Sequence, residues 1–273
     1  MPPALGIQNR VDQRRAFTRT DLLTLIVIVT TLSLLQARSF AAGRQAGHAL
    51  VCLNNVKQLM RGWLGFSEDH TGYFPVNVDD GGSSNWVAGI VVNANAATNT
   101  TVLTNSQIAP YLEGKFQAFR CPEDPFQFNG VPRVRSYSAN QAVGTKQDGK
   151  TPVDGPWLDG NHNNRANNPW RTYANLHDMI APKPSELWVI IDEDEYSIND
   201  AGFAVSMVGS QMIDWPSTRH NFSGTFSFAD GHGEIHRWGD PRTKVINGNL
   251  SRVNQPNNPD IFWLQQRTSA RAN

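Results

Sequence analysis

The sequence predicts an α+β fold: a long N-terminal helix packs its outer half on an antiparallel β-sheet, and a loop-rich C-terminal part follows. Three observations predict it. From Leu22 to Leu35 the chain is mostly apolar and uncharged, and helix-forming sequence continues without a proline through Val51–Leu59. Cys52, Val56, Leu59, Trp63 and Phe66 then recur at steps of four, three, four and three, the spacing of one buried helix face. Further on, Glu186–Asp192 is rich in β-branched residues. Thr225–Ala229 and Gly233–Trp238 flank Asp230-Gly231, a hairpin turn signal.

The chain opens with a leader, 1–16, that carries Arg10, Arg14 and Arg15 ahead of the apolar run. Positive charge before an apolar segment places the leader in the cytoplasm. The run Leu22–Leu35 is shorter than the roughly 20 residues of a spanning helix, and Thr24, Thr30, Thr31 and Ser33 dilute it. Extended to 17–42 it reaches spanning length. Arg19, Asp21 and Arg38 then lie in or near the bilayer. The arginines can reach opposite headgroup layers, whereas the Asp21 carboxylate needs a partner. The expectation is a single-pass protein of the inner membrane with its N-terminus cytoplasmic. The globular domain, 43–267, lies outside the cytoplasm and includes the second half of the helix, and 268–273 is a frayed tail. Two other readings compete: an uncut signal anchor, and a secretory signal cut after Ser39-Phe40-Ala41, before Ala42.

The stretch Ala16-Phe17-Thr18-Arg19-Thr20-Asp21-Leu22-Leu23 resembles the prepilin cleavage site of type IV pilins and type II secretion pseudopilins. Ala16 stands where that family has Gly, Asp21 where it has Glu, and Arg19 where it has an apolar residue. Cys52-Leu53-Asn54-Asn55-Val56-Lys57-Gln58-Leu59, Gly72-Tyr73-Phe74-Pro75 and Phe119-Arg120-Cys121-Pro122-Glu123-Asp124 resemble a bacterial subgroup of prepilin-like proteins. So does His220, nine residues and then Asp230-Gly231. The resemblance implies a pilin-like fold and cleavage by prepilin peptidase between Ala16 and Phe17. It also implies N-methylation of the new terminus and a filament built with other pilin-like subunits. Asp21 would neutralise a neighbour's terminal amine during assembly. The implied function is structural, in a type II secretion pseudopilus or type IV pilus-like filament, and not enzymatic. The alternative is a membrane-anchored or secreted module that binds glycan or protein through its loops and does not polymerise.

The chain has 273 residues, enough for one domain with a sizeable core beyond the helix. Lysine plus arginine equals aspartate plus glutamate, so no basic face points to a nucleic-acid partner. The two cysteines, Cys52 and Cys121, allow one pairing. Outside the cytoplasm they form a disulfide that contributes roughly 4 kcal/mol, or else remain two buried thiols. No Cys-x-x-Cys occurs, so the spacing fits no zinc site.

Trp86–Val92 reads as a strand, Asn93–Asn105 as an exposed loop, and Gln107–Glu113 as a short helix ended by Gly114. Arg135–Gln141 and Phe203–Val208 read as further strands, and Gly144–Arg171 as a long polar excursion. Two chemistries are candidates after that. Asp192, Asp194, Asn199, Asp200 and Asp230 offer oxygen ligands of the kind calcium prefers, and some pseudopilins bind calcium in a C-terminal loop. The competing reading is a solvated acidic turn. His220, Asp230, His232 and His236 could serve acid–base chemistry. No nucleophile elbow, phosphate loop or His-Glu-x-x-His accompanies them, so His220 and Asp230 are expected to lock the terminal hairpin by hydrogen bonds.

Overall fold

The computed structural model describes residues 18–78, 82–162, 169–245 and 252–272. The chain divides into two compact units, Met1–Arg44 and Gln45–Asn273. The leader and the processing pair Ala16 and Phe17 lie outside the described residues.

Helix α1, Arg19–Asp69, begins in the first unit. Its start follows from Thr18-Arg19-Thr20-Asp21, a capping box. The Asp21 carboxylate accepts from the Thr18 backbone N–H at 2.9 Å, and the Thr18 hydroxyl accepts from the Asp21 N–H at 3.2 Å. Along this part Leu22, Leu23, Ile26, Val27, Val29 and Leu34 are exposed, and the Thr24, Thr30, Thr31 and Ser33 hydroxyls donate back to carbonyls of the preceding turn. Among the described residues no helix is long and apolar enough to cross a membrane. This corrects the expected membrane half of the helix. The physical reason is the one already visible in the composition: the apolar run is short, and four hydroxylated residues interrupt it.

In the second unit the outer part of α1 behaves as its spacing predicts. Cys52, Val56, Leu59 and Trp63 are fully buried and Phe66 packs against the same core. Trp63 lies 5.6 Å from Trp86 and 6.4 Å from Phe74, ring centre to ring centre. The helix ends where Thr71 and Gly72 take left-handed backbone angles, and the Gly72 N–H donates to the Ser67 carbonyl at 2.8 Å.

After α1 come two single-turn helices, α2, Ala94–Ala97, and α3, Thr101–Thr104. They replace the exposed loop expected there, because Ala97 and Leu103 turn inward. Trp86–Val92 is irregular rather than a strand. Trp86 and Val87 go to the core individually, and the Trp86 indole donates to the Ala201 carbonyl at 3.0 Å. A 3-10 turn at Ala109–Tyr111 takes the place of the expected short helix, and another covers Phe116–Phe119.

Strands β1, Gln127–Phe128, and β2, Val131–Pro132, form a small hairpin. The central sheet is built from β3, Tyr137–Asn140, β4, Trp188–Asp192, and β5, Gly202–Phe203. After the short β6, Gln211–Met212, it is completed by β7, Ser223–Phe228, and β8, Gly233–Arg237. The order is β5-β3-β4-β7-β8. β3 pairs in parallel with β5, and the other pairs are antiparallel. The sheet is therefore mixed, which corrects the expected antiparallel one. β5 follows β4 through 193–201 and crosses to the far side of β3, so it runs opposite to β4 and therefore parallel to β3.

Each sheet face has its own core. Val189 and Ile190 join the α1 side with Tyr137 and Ala139, while Trp188 and Ile191 join Phe203, Phe226 and Phe228 on the other. Two successive residues on one side break the usual alternation. A register shift between Trp188 and Ile190 in the pairing with β7 accounts for it. The second face is covered by α4, Pro259–Thr268, which follows β9, Val253–Asn254, and buries Ile261 and Leu264. Asn258 caps α4 and Pro259 occupies its first turn. The tail expected to fray from Thr268 is anchored. The Thr268 hydroxyl accepts from the Trp188 indole at 3.1 Å, and the Ala272 N–H donates to the Pro169 carbonyl at 2.7 Å.

Candidate functional site

Four separate segments of the second unit converge on one buried spot. Cys52 comes from α1. Cys121 follows the Phe116–Phe119 turn and is held by its N–H, which donates to the Ser136 hydroxyl at 3.1 Å. Asp192 is the last residue of β4. His220 sits in the turn that leads into β7, just before Asn221 and Phe222, both with positive φ. All four are buried, and one ligand atom from each lies within 4.8 Å of the others. Tyr137 stands beside them, and its hydroxyl accepts from the Asn55 amide at 3.4 Å.

His220 is gripped from two sides. Its Nδ1 lies 3.0 Å from Glu123 Oε2, and its Nε2 lies 3.3 Å from Cys121 Sγ and 3.5 Å from Asp192 Oδ2. Burial alone would push the imidazole down. Its contacts with Asp192 and Cys121 outweigh that and raise it to about 10. Burial pushes the Cys121 thiol well up, aided by the Cys52 contact and the Asp192 charge. Arg219 donates to Asp192 Oδ1, to Glu195 Oε2 at 2.9 Å and to the Glu193 carbonyl at 2.9 Å. Asp192 Oδ2 is buried with no hydrogen-bond partner.

The expected pairing of Cys52 with Cys121 is met in space but not in covalent state. The sulfurs are 2.7 Å apart, and both cysteines are buried and free in the structure. The fold supplies the juxtaposition, while oxidation is decided by the compartment.

The calcium set does not assemble. Asp192 faces Arg219 and His220. Asp194 accepts from the Tyr196 N–H at 2.9 Å, and Asp200 accepts from the Gly202 N–H at 2.8 Å and from the Asn199 amide. Asp230 is on the hairpin turn, where it accepts from the His232 N–H at 3.1 Å. Asp194, Asp200 and Asp230 are thus committed to their own loops, and Asp192 to Arg219 and His220. The solvated acidic turn fails as well, because Asp192, Glu193 and Asp194 are buried. Burial, with the neighbouring Glu195 next, raises Asp194 to about 7.

Of the two residues expected to lock the hairpin, Asp230 accepts from the His232 N–H in the turn itself, whereas His220 lies at the other end of β7 against Cys121 and Glu123. Gly231 completes the turn with φ +90°, and its Cβ position would stand 3.5 Å from Leu64. Sequence spacing did not group Cys52, Cys121, Asp192 and His220, and the lack of a Cys-x-x-Cys argued against such a group. The signal available was weaker: two cysteines, a His before a strand and an Asp closing another.

His236 belongs to a different environment. Its ring stacks on Trp263 with centres 3.7 Å apart, and Nδ1 is 3.7 Å from Glu234 Oε1. Burial lowers its pKa against the opposing pull of Glu234 and Asp260. A folded-state pKa below the unfolded value of about 6.5 means that the unfolded chain binds the proton more readily. Stability is therefore full above about pH 6.5 and falls as pH drops through the folded pKa. Melting temperature measured from about pH 7.5 down to about pH 5 is expected to fall less in His236→Phe than in the wild type. Equal slopes would remove His236 from the pH response.

No protein-family model matches the chain, and comparison with curated proteins and with solved structures finds no match.

Proposed function

We propose that this chain is a structural, pilin-like subunit that assembles with like subunits through the helix of its first unit. Prepilin peptidase would cut before Phe17. The observation that supports the reading is the exposed apolar surface of that helix, from Leu22 through Ile28 and Val29 to Leu34. At 3.6 residues per turn these positions point all round the axis rather than along one stripe. A helix apolar on every side is stable only when it is buried on every side. Neighbouring copies packed around it would supply that burial.

In the single chain Asp21 caps its own helix through Thr18. In the assembly it would turn to a neighbour's new terminal amine, removing two unpaired charges from a low-dielectric bundle. Val29→Asp tests the reading, since it places a charge midway along the apolar surface. The high-mass species seen by light scattering should fall at least about tenfold, an assembly loss of about 1.4 kcal/mol or more. The unfolding transition of the second unit should stay unchanged. Undiminished assembly would sink the proposal. The mature chain should begin at Phe17, whereas a start at Ala42 would favour the secreted binding module.

A further inference from the structure

We infer that Cys52, Cys121, Asp192 and His220 form a closed structural site for a divalent transition metal of the zinc type. The inference is independent of the assembly reading. It begins from the donor set. Two sulfurs, an imidazole nitrogen and one carboxylate oxygen suit a borderline-soft ion that takes four ligands, and they do not suit calcium or magnesium.

The geometry fits with one adjustment. Metal–ligand bonds of about 2.0–2.3 Å give tetrahedral edges of about 3.3–3.8 Å. The Cys121 Sγ to His220 Nε2 distance is 3.3 Å and His220 Nε2 to Asp192 Oδ2 is 3.5 Å, both on that scale. The two sulfurs, at 2.7 Å, must part by about 1 Å to make their own edge. Cys121 lies in a turn outside any strand, so it is the side that can give.

Two further observations point to a ligand. Asp192 Oδ2 is buried without a hydrogen-bond partner, while its sister oxygen is taken by Arg219. A buried acceptor whose partner, His220 Nε2, stands 3.5 Å away calls for an explanation, and a bound cation between the two is one. Glu123 Oε2 approaches His220 Nδ1 at 3.0 Å, close but not aligned as a hydrogen bond. An outer carboxylate on the far nitrogen is the usual support of a metal-bound histidine, because it fixes the tautomer that leaves Nε2 free to coordinate. His48 holds the other Glu123 oxygen at 3.2 Å.

Two thiolates and Asp192 carry three negative charges, of which a divalent ion offsets two, and Arg219 donates to the Asp192 oxygen that faces away from His220. Binding displaces protons from both thiols, so affinity rises with pH. The ion would tie α1 to the Cys121 turn, the end of β4 and the entry to β7. Because the site is buried and all four positions come from the protein, its role would be structural rather than catalytic. It excludes the disulfide, since the same two sulfurs serve both.

Cobalt(II) added to the reduced, chelator-treated full chain is the probe. The expected result is one equivalent bound, with tetrahedral visible bands, a near-ultraviolet sulfur-to-cobalt band, and displacement by zinc. Cys52→Ser and Cys121→Ser should each weaken the sulfur band, and the double variant should lose it. Glu123→Gln touches no ligand atom, so it tests the site in a folded chain. It should weaken binding by about tenfold to a hundredfold. Octahedral spectra, or undiminished binding in the double serine variant, would overturn the inference. So would full affinity in Glu123→Gln, or a native chain that carries the Cys52–Cys121 disulfide and no metal.

Discussion

Asp124→Ala is expected to destabilise the second unit by about 3–5 kcal/mol, the cost of leaving a buried charge without its partner. Asp124 and Arg133 are both buried, with Arg133 Nη2 donating to Asp124 Oδ2 at 3.0 Å. The same oxygen accepts from the Ser136 hydroxyl at 2.6 Å, and Oδ1 accepts from the Phe126 N–H at 2.9 Å. Burial pushes the carboxyl up, but Arg219, Arg133 and Ser136 together outweigh it and hold it below the usual range. The alanine removes all three acceptor contacts at once and strands the guanidinium. Arg133 would keep only its Nη1 bond to the Glu195 carbonyl, at 3.0 Å, and its stacking over Phe126. Asp124→Asn should cost less, because it preserves shape and one acceptor. Replacing both partners with apolar residues, Asp124→Leu with Arg133→Met, should recover much of the loss. Chemical denaturation gives the three values. A loss below about 1 kcal/mol for the alanine, the range of exposed pairs, would show that water reaches the pair.

Trp63→Ala is expected to cost about 3–5 kcal/mol through the cavity it leaves. Trp63 is fully buried and touches a chain of rings in which Trp86 and Phe119 stack with centres 6.0 Å apart. It is also where α1 grips the irregular segment around Trp86. Its indole nitrogen has no hydrogen-bond partner, so all of its contribution comes from packing. Trp63→Phe therefore loses area but no hydrogen bond, and relieves a buried unpaired N–H. The phenylalanine variant should lose less than half of what the alanine variant loses. Comparable losses would mean that the ring volume, and not its polar edge, is uncompensated.

Periodic segments were legible in the sequence and folded-together ones were not. The buried face of α1, the strand around Ile190 and the hairpin at Asp230-Gly231 each follow from residues within one short window. The parallel partnership of β3 with β5 does not, because the chain leaves β4 and crosses to the far edge of β3, which no short window encodes. α4 was missed because Pro, Asn and Gly dominate its approach and its apolar positions are few. The four-residue site was invisible for a related reason. Cys52 and Cys121 are 69 residues apart, and Cys121 and His220 are 99 apart. Motif spacing detects ligands within one loop, whereas this cluster is made by four elements meeting. The oxygen-rich stretch misled in the opposite sense. Asp192, Asp194 and Asp200 are close in sequence, yet Asp194 and Asp200 are spent on their own turns while Asp192 faces Arg219 and His220.

The hairpin gives a different meaning to the nine residues between His220 and Asp230. Between them runs β7, buried along its whole length, with Phe226 and Phe228 in one core. The interval is a ruler cut to the width of the sheet. One residue more or less would invert the strand, turning its aromatic rings to the wrong side and carrying His220 away from Cys121. Two residues can thus keep a fixed distance along a chain without ever meeting, each tethered to its own rim of the same β-layer.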